Sequence, residues 1–321
     1  MWNYLWKKAA QLALVLLLIS FFSFAIIYIA PGDVSQMYLA QDLSQEQLEN
    51  LKITLGLDKS MLEQYFSWLG LVLQGNFGVS LANKSPVLPQ LLSRLPATVL
   101  LMGSSMLLSV AIAIPLGLWA GCRKDGWPDR IISGFSSVGM SLPPFWFGTL
   151  LIILLSATFR LLPSSGMNTP GMKSGWDTFR HLIMPCLTLS ISHVAVYIRY
   201  VRSSTVAQLG EEYVLTAQAK GTRQAQVLSR HVLKNTLLPV ITLLGMNLSS
   251  LVSGSFIVES VFGWPGVGTL AMTAINAQDY PIIMAYVMLS GTLLVLGNFL
   301  ADVLYAMVDP RIRTGGEARG Q

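Results

Sequence analysis

Six long stretches of this chain contain no Asp, Glu, Lys or Arg, and this pattern restricts the fold more than any other feature. Each stretch is close to the roughly 20 residues that an α-helix needs to cross about 30 Å of hydrocarbon. With 53% hydrophobic and 12% charged residues, the chain is also too apolar for a soluble domain of 321 residues. We therefore predict an all-α, polytopic membrane protein with six transmembrane helices. The predicted spans are residues 9–30, 95–121, 131–159, 182–198, 235–258 and 280–301.

The Lys and Arg residues predict how these spans are oriented. Six spans place both termini on the same side of the membrane. If the N-terminus is cytoplasmic, 14 of the 21 Lys and Arg residues fall in inner segments and seven fall in the much longer outer segments. The positive-inside rule then favours an N-in, C-in topology. This orientation accounts for the net charge of +5, so we expect no nucleic-acid partner.

The spans divide the chain into four parts. Residues 1–30 are the N-terminal segment with the first transmembrane helix, residues 31–94 form an external helical loop, residues 95–308 form the transmembrane core, and residues 309–321 form a cytoplasmic tail. In the external loop, a capping box is predicted at Ser44 and Gln47, and an amphipathic helix at 61–73. The loop either anchors the protein in lipid headgroups or forms a small external cap over a pathway entrance.

The third span contains two consecutive prolines, Pro143 and Pro144, directly after Ser141 and Leu142. Two prolines remove two backbone donors and disfavour α geometry at the preceding residue, so we predict a kink or a break. Such a break often lines a pathway, although prolines are also ordinary in spanning helices. The fourth span carries an ionisable residue, His193, which is either a pathway residue or a hydrogen-bonded packing residue. Our candidates for the pathway or a gate are Ser141, Pro143, Pro144 and His193.

The segment between the fourth and fifth spans, about residues 202–235, is charged yet compatible with helix, and we name it the coupling loop. Residues 207–220 contain no proline, Gly221 is suited to end a helix, and residues 224–235 resume helical patterning. Such an insertion on the inner side is either a plain solvated surface or a site for a partner protein.

Motifs along nearly the whole chain resemble the B-type permease of the dipeptide, oligopeptide and nickel branch of binding-protein-dependent ABC importers. In the coupling loop these are Thr216-Ala217-Gln218-Ala219-Lys220-Gly221 and Arg230-His231, and Leu238-Pro239 follows just after it. Elsewhere they are Pro31-Gly32-Asp33, Leu55-Gly56-Leu57-Asp58, Gly75-Asn76-Phe77-Gly78, Arg94-Leu95-Pro96-Ala97-Thr98, Glu259 to Gly268, Asp279-Tyr280-Pro281 and Asp309-Pro310-Arg311. The wider superfamily has Glu-Ala-Ala before the glycine. This chain has Leu215-Thr216-Ala217, so the superfamily's glutamate contact is not carried over to Leu215.

The resemblance implies a cytoplasmic coupling helix that inserts into a groove on an ATPase, and ATP-driven closure of the ATPase dimer would move this helix. Gly221 permits a sharp turn, Ala217 and Ala219 permit close approach, and Tyr213 offers an aromatic anchor. The implied coupling residues are Glu211, Glu212, Tyr213, Thr216, Ala217, Ala219, Lys220, Gly221 and Arg223.

The implied partners follow from the same resemblance. They are a second, homologous permease subunit, two ABC ATPase subunits and an extracytoplasmic solute-binding protein, all at a bacterial inner (plasma) membrane. No GxxxxGK[ST] motif occurs, so we expect this chain to bind no cofactor and the partner subunits to hydrolyse ATP. We also expect no catalytic residues and no metal site. Glu259, Trp264 and Asp279 on the outer side are candidates for contact with the binding protein or the pathway mouth.

The sequence leaves the solute open. By resemblance the transported class is short peptides, and the alternative is nickel or a metal chelate in the same architecture. A different class, an ATP-independent secondary transporter, would need buried ion-relay carboxylates and inverted repeats. The central parts of the spans contain no Asp or Glu. A membrane-embedded enzyme is a third alternative, for which the sequence shows no paired nucleophile and base.

Overall fold

The computed structural model describes residues 2–29, 59–172, 174–233, 235–237, 240, 243–244 and 256–308. The described regions are helical, apart from loops and one isolated bridge between Val79 and Pro86. The helices are α1 (Trp2–Ile29), α2 (Met61–Leu73), α3 (Val87–Cys122), α4 (Trp127–Ser141), α5 (Pro144–Leu151), α6 (Gly175–Leu209), α7 (Glu212–Ala219), α8 (Gln224–Val227), α9 (Phe256–Val261), α10 (Val267–Asn276) and α11 (Tyr280–Val308). Two π-helical segments, Ile152–Thr158 and Leu228–Val232, continue α5 and α8.

Four of these helices, α1, α3, α6 and α11, are long and apolar enough to cross a membrane. They contain the predicted spans 9–30, 95–121, 182–198 and 280–301, apart from residue 30, which lies outside the described residues. Helices α4 and α5 together satisfy the same test as one bent span. The predicted span at 235–258 lies mostly outside the described residues. The all-α membrane fold is therefore confirmed, whereas the count of six spans and the N-in, C-in orientation stay predictions.

The break at the two prolines is confirmed. Helix α4 ends at Ser141, Leu142 and Pro143 are extended, and α5 begins at Pro144. The two helical pieces meet at an angle of 100°. The bend follows from the chemistry of proline, which supplies no backbone N–H and excludes helical geometry from the residue before it.

The largest helix contact joins α3 and α6, and it is closest where α3 has Gly117 and Gly121. A Cβ atom at Gly117 would lie 2.6 Å from Cβ of Val201, and one at Gly121 would lie 2.6 Å from Cβ of Thr205. Two glycines four residues apart let the two helix backbones approach closely. Such close packing matters in lipid, because the hydrophobic effect does not drive helices together there.

Helix α6 is longer than the predicted span. Its 35 residues correspond to about 50 Å, well beyond the hydrocarbon thickness, so the helix continues past the membrane. Residues 202–209, at the start of the predicted coupling loop, still belong to α6, and the extent of the coupling loop stays a prediction. No proline or glycine interrupts this stretch, and the helix ends only at Gly210.

Helix α2, in the loop predicted to be external, packs on the C-terminal half of α1. Tyr65 is buried, its hydroxyl lies 2.9 Å from Oγ of Ser20, and its ring packs edge-on against Phe21 and Phe24. The helix starts with a capping box in which the Ser60 hydroxyl and the Glu63 carboxylate each accept a backbone N–H. The predicted amphipathic helix at 61–73 is thus confirmed, while the predicted capping box at 44–47 lies outside the described residues.

Candidate functional site

The coupling loop folds around a small apolar cluster. Val214 of α7, Val227 of α8 and Val232 are fully buried against one another. Leu209, Ala217 and Leu228 pack around these three side chains. The cluster is small, so most side chains of this loop face away from it. Helix α7 therefore packs against the valine cluster with one face and exposes its other face.

The end of α7 has the geometry predicted for Gly221. The glycine has φ +77°, in the left-handed region where side-chain-bearing residues are strained. The N–H of the next residue, Thr222, donates to the carbonyl of Ala217 at 3.1 Å, which is the long bond of a Schellman motif. A Cβ atom at Gly221 would meet nothing within 4 Å, so the turn needs glycine for its backbone conformation and not for space.

Most predicted coupling residues are exposed on this loop. They are Glu211, Glu212, Tyr213, Thr216, Ala219, Lys220, Gly221 and Arg223. Ala217 differs, because it is half-buried against the valine cluster, so its small side chain serves α7 packing at least as much as approach by a partner. The Tyr213 hydroxyl donates to Gln208 and accepts from the Asn235 amide at 3.0 Å. Tyr213 thus ties the start of the loop to its end.

An ion pair between the buried Asp129 and the half-buried Arg202 joins α4 to α6 on the side of the coupling loop. Nη2 of Arg202 donates to Oδ2 of Asp129 at 2.7 Å, and Nε donates to Oδ1. Asp129 also accepts from the N–H of Asp125 at 2.8 Å and from the Ser133 hydroxyl at 3.1 Å, and its side chain is 3% exposed. A buried carboxylate needs such full pairing because an unpaired one is strongly destabilising.

The candidates for the pathway lie at the helix break and on α6. Ser141, Pro143 and Pro144 are exposed, and the Ser141 hydroxyl donates to the carbonyl of Ser137 at 3.0 Å. His193 is half-buried, and its ring stacks on Tyr197 with 6.1 Å between ring centroids. Its Nδ1 atom is buried without a hydrogen-bond partner among the described residues. The prediction that these four residues line the pathway is not tested by these positions.

Glu259 lies in the interior of the protein and not on its surface. Its carboxylate accepts from the Thr98 hydroxyl at 2.8 Å and from the N–H of Thr269 at 3.0 Å. The residue is completely buried, and a Cβ atom at Gly266 would lie 2.4 Å from the carboxylate. Glu259 therefore binds the N-terminal turn of α10 to α3, where helix N–H groups otherwise lack partners.

Trp264 and Asp279 are buried as well. The Trp264 indole N–H donates to the carbonyl of Ala97 at 2.8 Å. The Asp279 carboxylate accepts from the Ser80 hydroxyl and from the N–H of Leu81 at 3.1 Å, which attaches loop 78–86 to the start of α11. Glu259, Trp264 and Asp279 are 0%, 0% and 1% exposed, and they position loop 78–86 and residues 259–279, which we call the outer loops after their predicted side of the membrane. The role of these three residues in contact with a binding protein or at the pathway mouth stays a prediction.

Comparison with known proteins identifies the class of this membrane protein. Residues 113–314 match the family model described as binding-protein-dependent transport system inner membrane component. Residues 1–102 match the model for the N-terminal part of such membrane components. The chain belongs to this family. It is an inner membrane component of a binding-protein-dependent transport system, as the motifs in the coupling loop indicated.

Individual relatives of this transport component match over nearly their whole length. The oligopeptide transport system permease protein AppB of Bacillus subtilis is 39% identical over 311 residues, covering 96% of this chain and 98% of that protein. The glutathione transport system permease proteins GsiC of Pectobacterium atrosepticum and of Escherichia coli K12 are 36% and 34% identical over 313 residues. Each covers 98% of this chain and 99% of its own length.

The polar contacts between the helices of this transport component were not predicted from its sequence. Arg202 was counted only as an inner positive charge, and Asp129 was given no role. A signal was present, because Asp129, Ser133, Ser137 and Ser141 recur every four residues and so share one face of α4. The partners of Glu259 could not be read from the sequence, because Thr98 lies 161 residues earlier.

Proposed function

We propose that this chain is one of two homologous permease subunits of an ATP-driven importer of short peptides. The observation that carries the proposal is the similarity to AppB and GsiC across nearly the full chain, since AppB is named for the transport of oligopeptides and GsiC for that of glutathione, a tripeptide. In this proposal an external binding protein delivers the peptide, two ATPase subunits hydrolyse ATP, and this chain forms half of the pathway. No described feature favours nickel over peptides.

The coupling loop is the proposed contact with the ATPase. Its exposed face combines acidic residues Glu211 and Glu212, basic residues Lys220 and Arg223, and the ring of Tyr213. A polar rim around an aromatic anchor is typical of a protein interface. The valine cluster and the ion pair between Asp129 and Arg202 connect this face to α6 and α4. A movement of α7 would therefore be transmitted to helices of the membrane region.

Reconstitution tests the transport proposal directly. The chain would be purified with a partner permease, two ATPase subunits and a binding protein from the same organism and placed in vesicles. We expect uptake of a labelled tripeptide that requires ATP and the binding protein. Uptake without ATP would support the secondary-transporter alternative, and ATP-driven uptake of Ni²⁺ in place of peptide would overturn the proposed substrate class.

Gly221 gives a test of the coupling role. Gly221→Val places a β-branched residue at φ +77°, so we expect ATP hydrolysis to continue while peptide uptake per ATP falls about tenfold. Gly221→Asn is the matched control, because asparagine tolerates the left-handed region and should keep most coupling. Equal uptake per ATP in the valine variant and the wild type would contradict this role of the coupling loop.

A further inference from the structure

A cavity of about 270 Å³ lies between α4 and α6, next to the ion pair of Asp129 and Arg202. It is lined by Ser133, Ser136, Ser137, Met140, Ile198, Arg199 and Arg202. Arg202 lies seven residues before the end of α6, which is about 10 Å along the helix axis. The cavity is therefore on the side of the coupling loop. Its volume is slightly below that of pockets for drug-sized ligands, so it has room for one end of a peptide.

The hydroxyl groups of the three serines in this cavity donate hydrogen bonds to other groups of α4. Ser133 donates to the carboxylate of Asp129 at 3.1 Å, Ser136 to the carbonyl of Ile132 at 2.9 Å, and Ser137 to the carbonyl of Ser133 at 3.0 Å. A hydroxyl that donates its single proton still has lone pairs to accept with. The α4 wall of the cavity therefore offers hydrogen-bond acceptors, which suit the N–H groups of a ligand.

The two arginines on the α6 wall differ in charge balance. The guanidinium of Arg202 binds both oxygens of the Asp129 carboxylate, so its charge is neutralised locally. Arg199, one turn earlier on α6, is exposed and forms no ion pair among the residues that the structure describes. An arginine that faced hydrocarbon would be costly, so this face of α6 borders protein or water. The cavity thus carries one uncompensated positive charge.

Acceptors on one wall and a cation on the other match the two kinds of group at the C-terminal end of a peptide. Resting on the proposed peptide transport, we propose that this cavity binds the C-terminal residue of the transported peptide. Arg199 binds the terminal carboxylate, and the hydroxyls of Ser133 and Ser137 accept hydrogen bonds from the last peptide N–H groups. Guanidinium–carboxylate pairs are strong and frequently bidentate, which makes Arg199 the specificity-determining residue.

The test compares two labelled tripeptides that differ only in a free C-terminal carboxylate or a C-terminal amide. The complete transporter is reconstituted in phosphatidylcholine vesicles, and the binding protein is loaded to equal measured occupancy with either peptide. We expect the wild type to take up the carboxylate form faster. Arg199→Gln should lower the ratio of the two uptake rates about tenfold, and Arg199→Lys should retain part of it. The ratio is measured within one preparation, so a reduced yield of folded protein does not affect it.

Arg130→Gln is the matched control, because it removes the same charge from an exposed residue of α4 that does not line the cavity. In Arg130→Gln, the ratio of the uptake rates of the carboxylate and amide peptides should equal that of the wild type. An unchanged ratio in Arg199→Gln, or a wild type that treats both peptides equally, would overturn the cavity proposal while peptide uptake by the wild type still upheld the proposed function. Absence of ATP-driven uptake by the wild type would instead refute that function.

Anionic lipid headgroups share the negative charge of a carboxylate, so a separate experiment must show whether the cavity binds a peptide or a lipid. The same ratio is measured after phosphatidylglycerol is added to the vesicles. We expect the effect of Arg199→Gln to be the same in both lipids. An effect that requires phosphatidylglycerol would assign the cavity to a lipid phosphate and overturn the peptide proposal.

Discussion

The outer loops and the coupling loop both carry carboxylates next to apolar segments, but the two regions use them in opposite ways. In the outer loops, Glu259 and Asp279 are buried and accept hydrogen bonds from chain segments far away in the sequence. In the coupling loop, Glu211 and Glu212 are exposed, and three buried valines hold the fold. A buried carboxylate near membrane helices therefore stabilises the protein by linking its own segments, whereas an exposed one is available to a partner protein.

The difference has a physical cause. A carboxylate loses hydration when it is buried, so it remains only where several donors replace water. Such a site is rigid, because moving one element leaves a buried charge without partners. Exposed carboxylates pay no such cost and are free to bind another protein. We expect changes in the outer loops to reduce stability, and changes in the coupling loop to reduce coupling.

The largest effect is expected for Glu259→Ala. The change leaves a cavity and removes the partners of Thr98 and of the Thr269 N–H, so we expect a loss of about 3 kcal/mol in the free energy of unfolding. The measurement is thermal unfolding of the protein in detergent. Glu259→Gln, which keeps the shape, should lose less.

The same contact can be broken from the other side by Gly266→Ala, whose Cβ atom would lie 2.4 Å from the Glu259 carboxylate. Gly103→Ala on α3 is the matched control, because nothing lies within 4 Å of its added methyl group. If Glu259→Ala and Gly266→Ala both melted at the wild-type temperature, Glu259 would not stabilise the outer loops.

The next largest effect is expected at the ion pair between α4 and α6. Arg202→Ala leaves the Asp129 carboxylate buried without its cation, and we expect a loss of about 2–3 kcal/mol, again by thermal unfolding. The double variant Asp129→Asn with Arg202→Gln removes both charges and should be more stable than Arg202→Ala alone. Additive losses would show that the two residues do not interact.

Val214 and Leu215 provide a sharper comparison within the coupling loop, because they are neighbours that face opposite directions. Val214 is fully buried, and Leu215 is 53% exposed. Val214→Ala should destabilise the loop by about 1–2 kcal/mol, seen as faster amide hydrogen exchange in α7 and α8. Leu215→Ala should leave exchange unchanged and weaken only binding to the ATPase. The reverse pattern would show that α7 is docked through its other face.

The smallest effect is expected at the capping box of α2. Ser60→Ala removes the N-cap and should cost about 1 kcal/mol of local helix stability, measured by hydrogen exchange in α2. The hydrogen bonds from Ser60 lower the pKa of Glu63 below its ordinary value of 4.5. The contribution of this carboxylate is therefore fully present above pH 4.5 and is lost as the pH falls through the lower folded pKa. Amide hydrogen exchange in α2 of the Glu63→Gln variant should lack this pH dependence.

The sequence predicted much of the membrane fold, because uncharged runs depend only on local composition. Four spans, the break at Pro143 and Pro144, and the left-handed turn at Gly221 were all read correctly from residue types. The coupling loop was found from its motif, and the structure adds that α6 continues through its first residues to Leu209. The sequence could not show that Ala217 packs inward, because the valine cluster forms between α7 and later segments.

The sequence by itself determined that the chain is helical, spans a membrane and carries a glycine-ended helix between two spans. These properties follow from local hydropathy and local backbone preferences, which need no knowledge of distant residues. Only the tertiary structure decided that Glu259, Trp264 and Asp279 are interior, that Asp129 pairs with Arg202, and that Arg199 is left beside a row of serines. These depend on which helices meet, and pairing between residues 73 to 199 positions apart is not encoded in any local pattern.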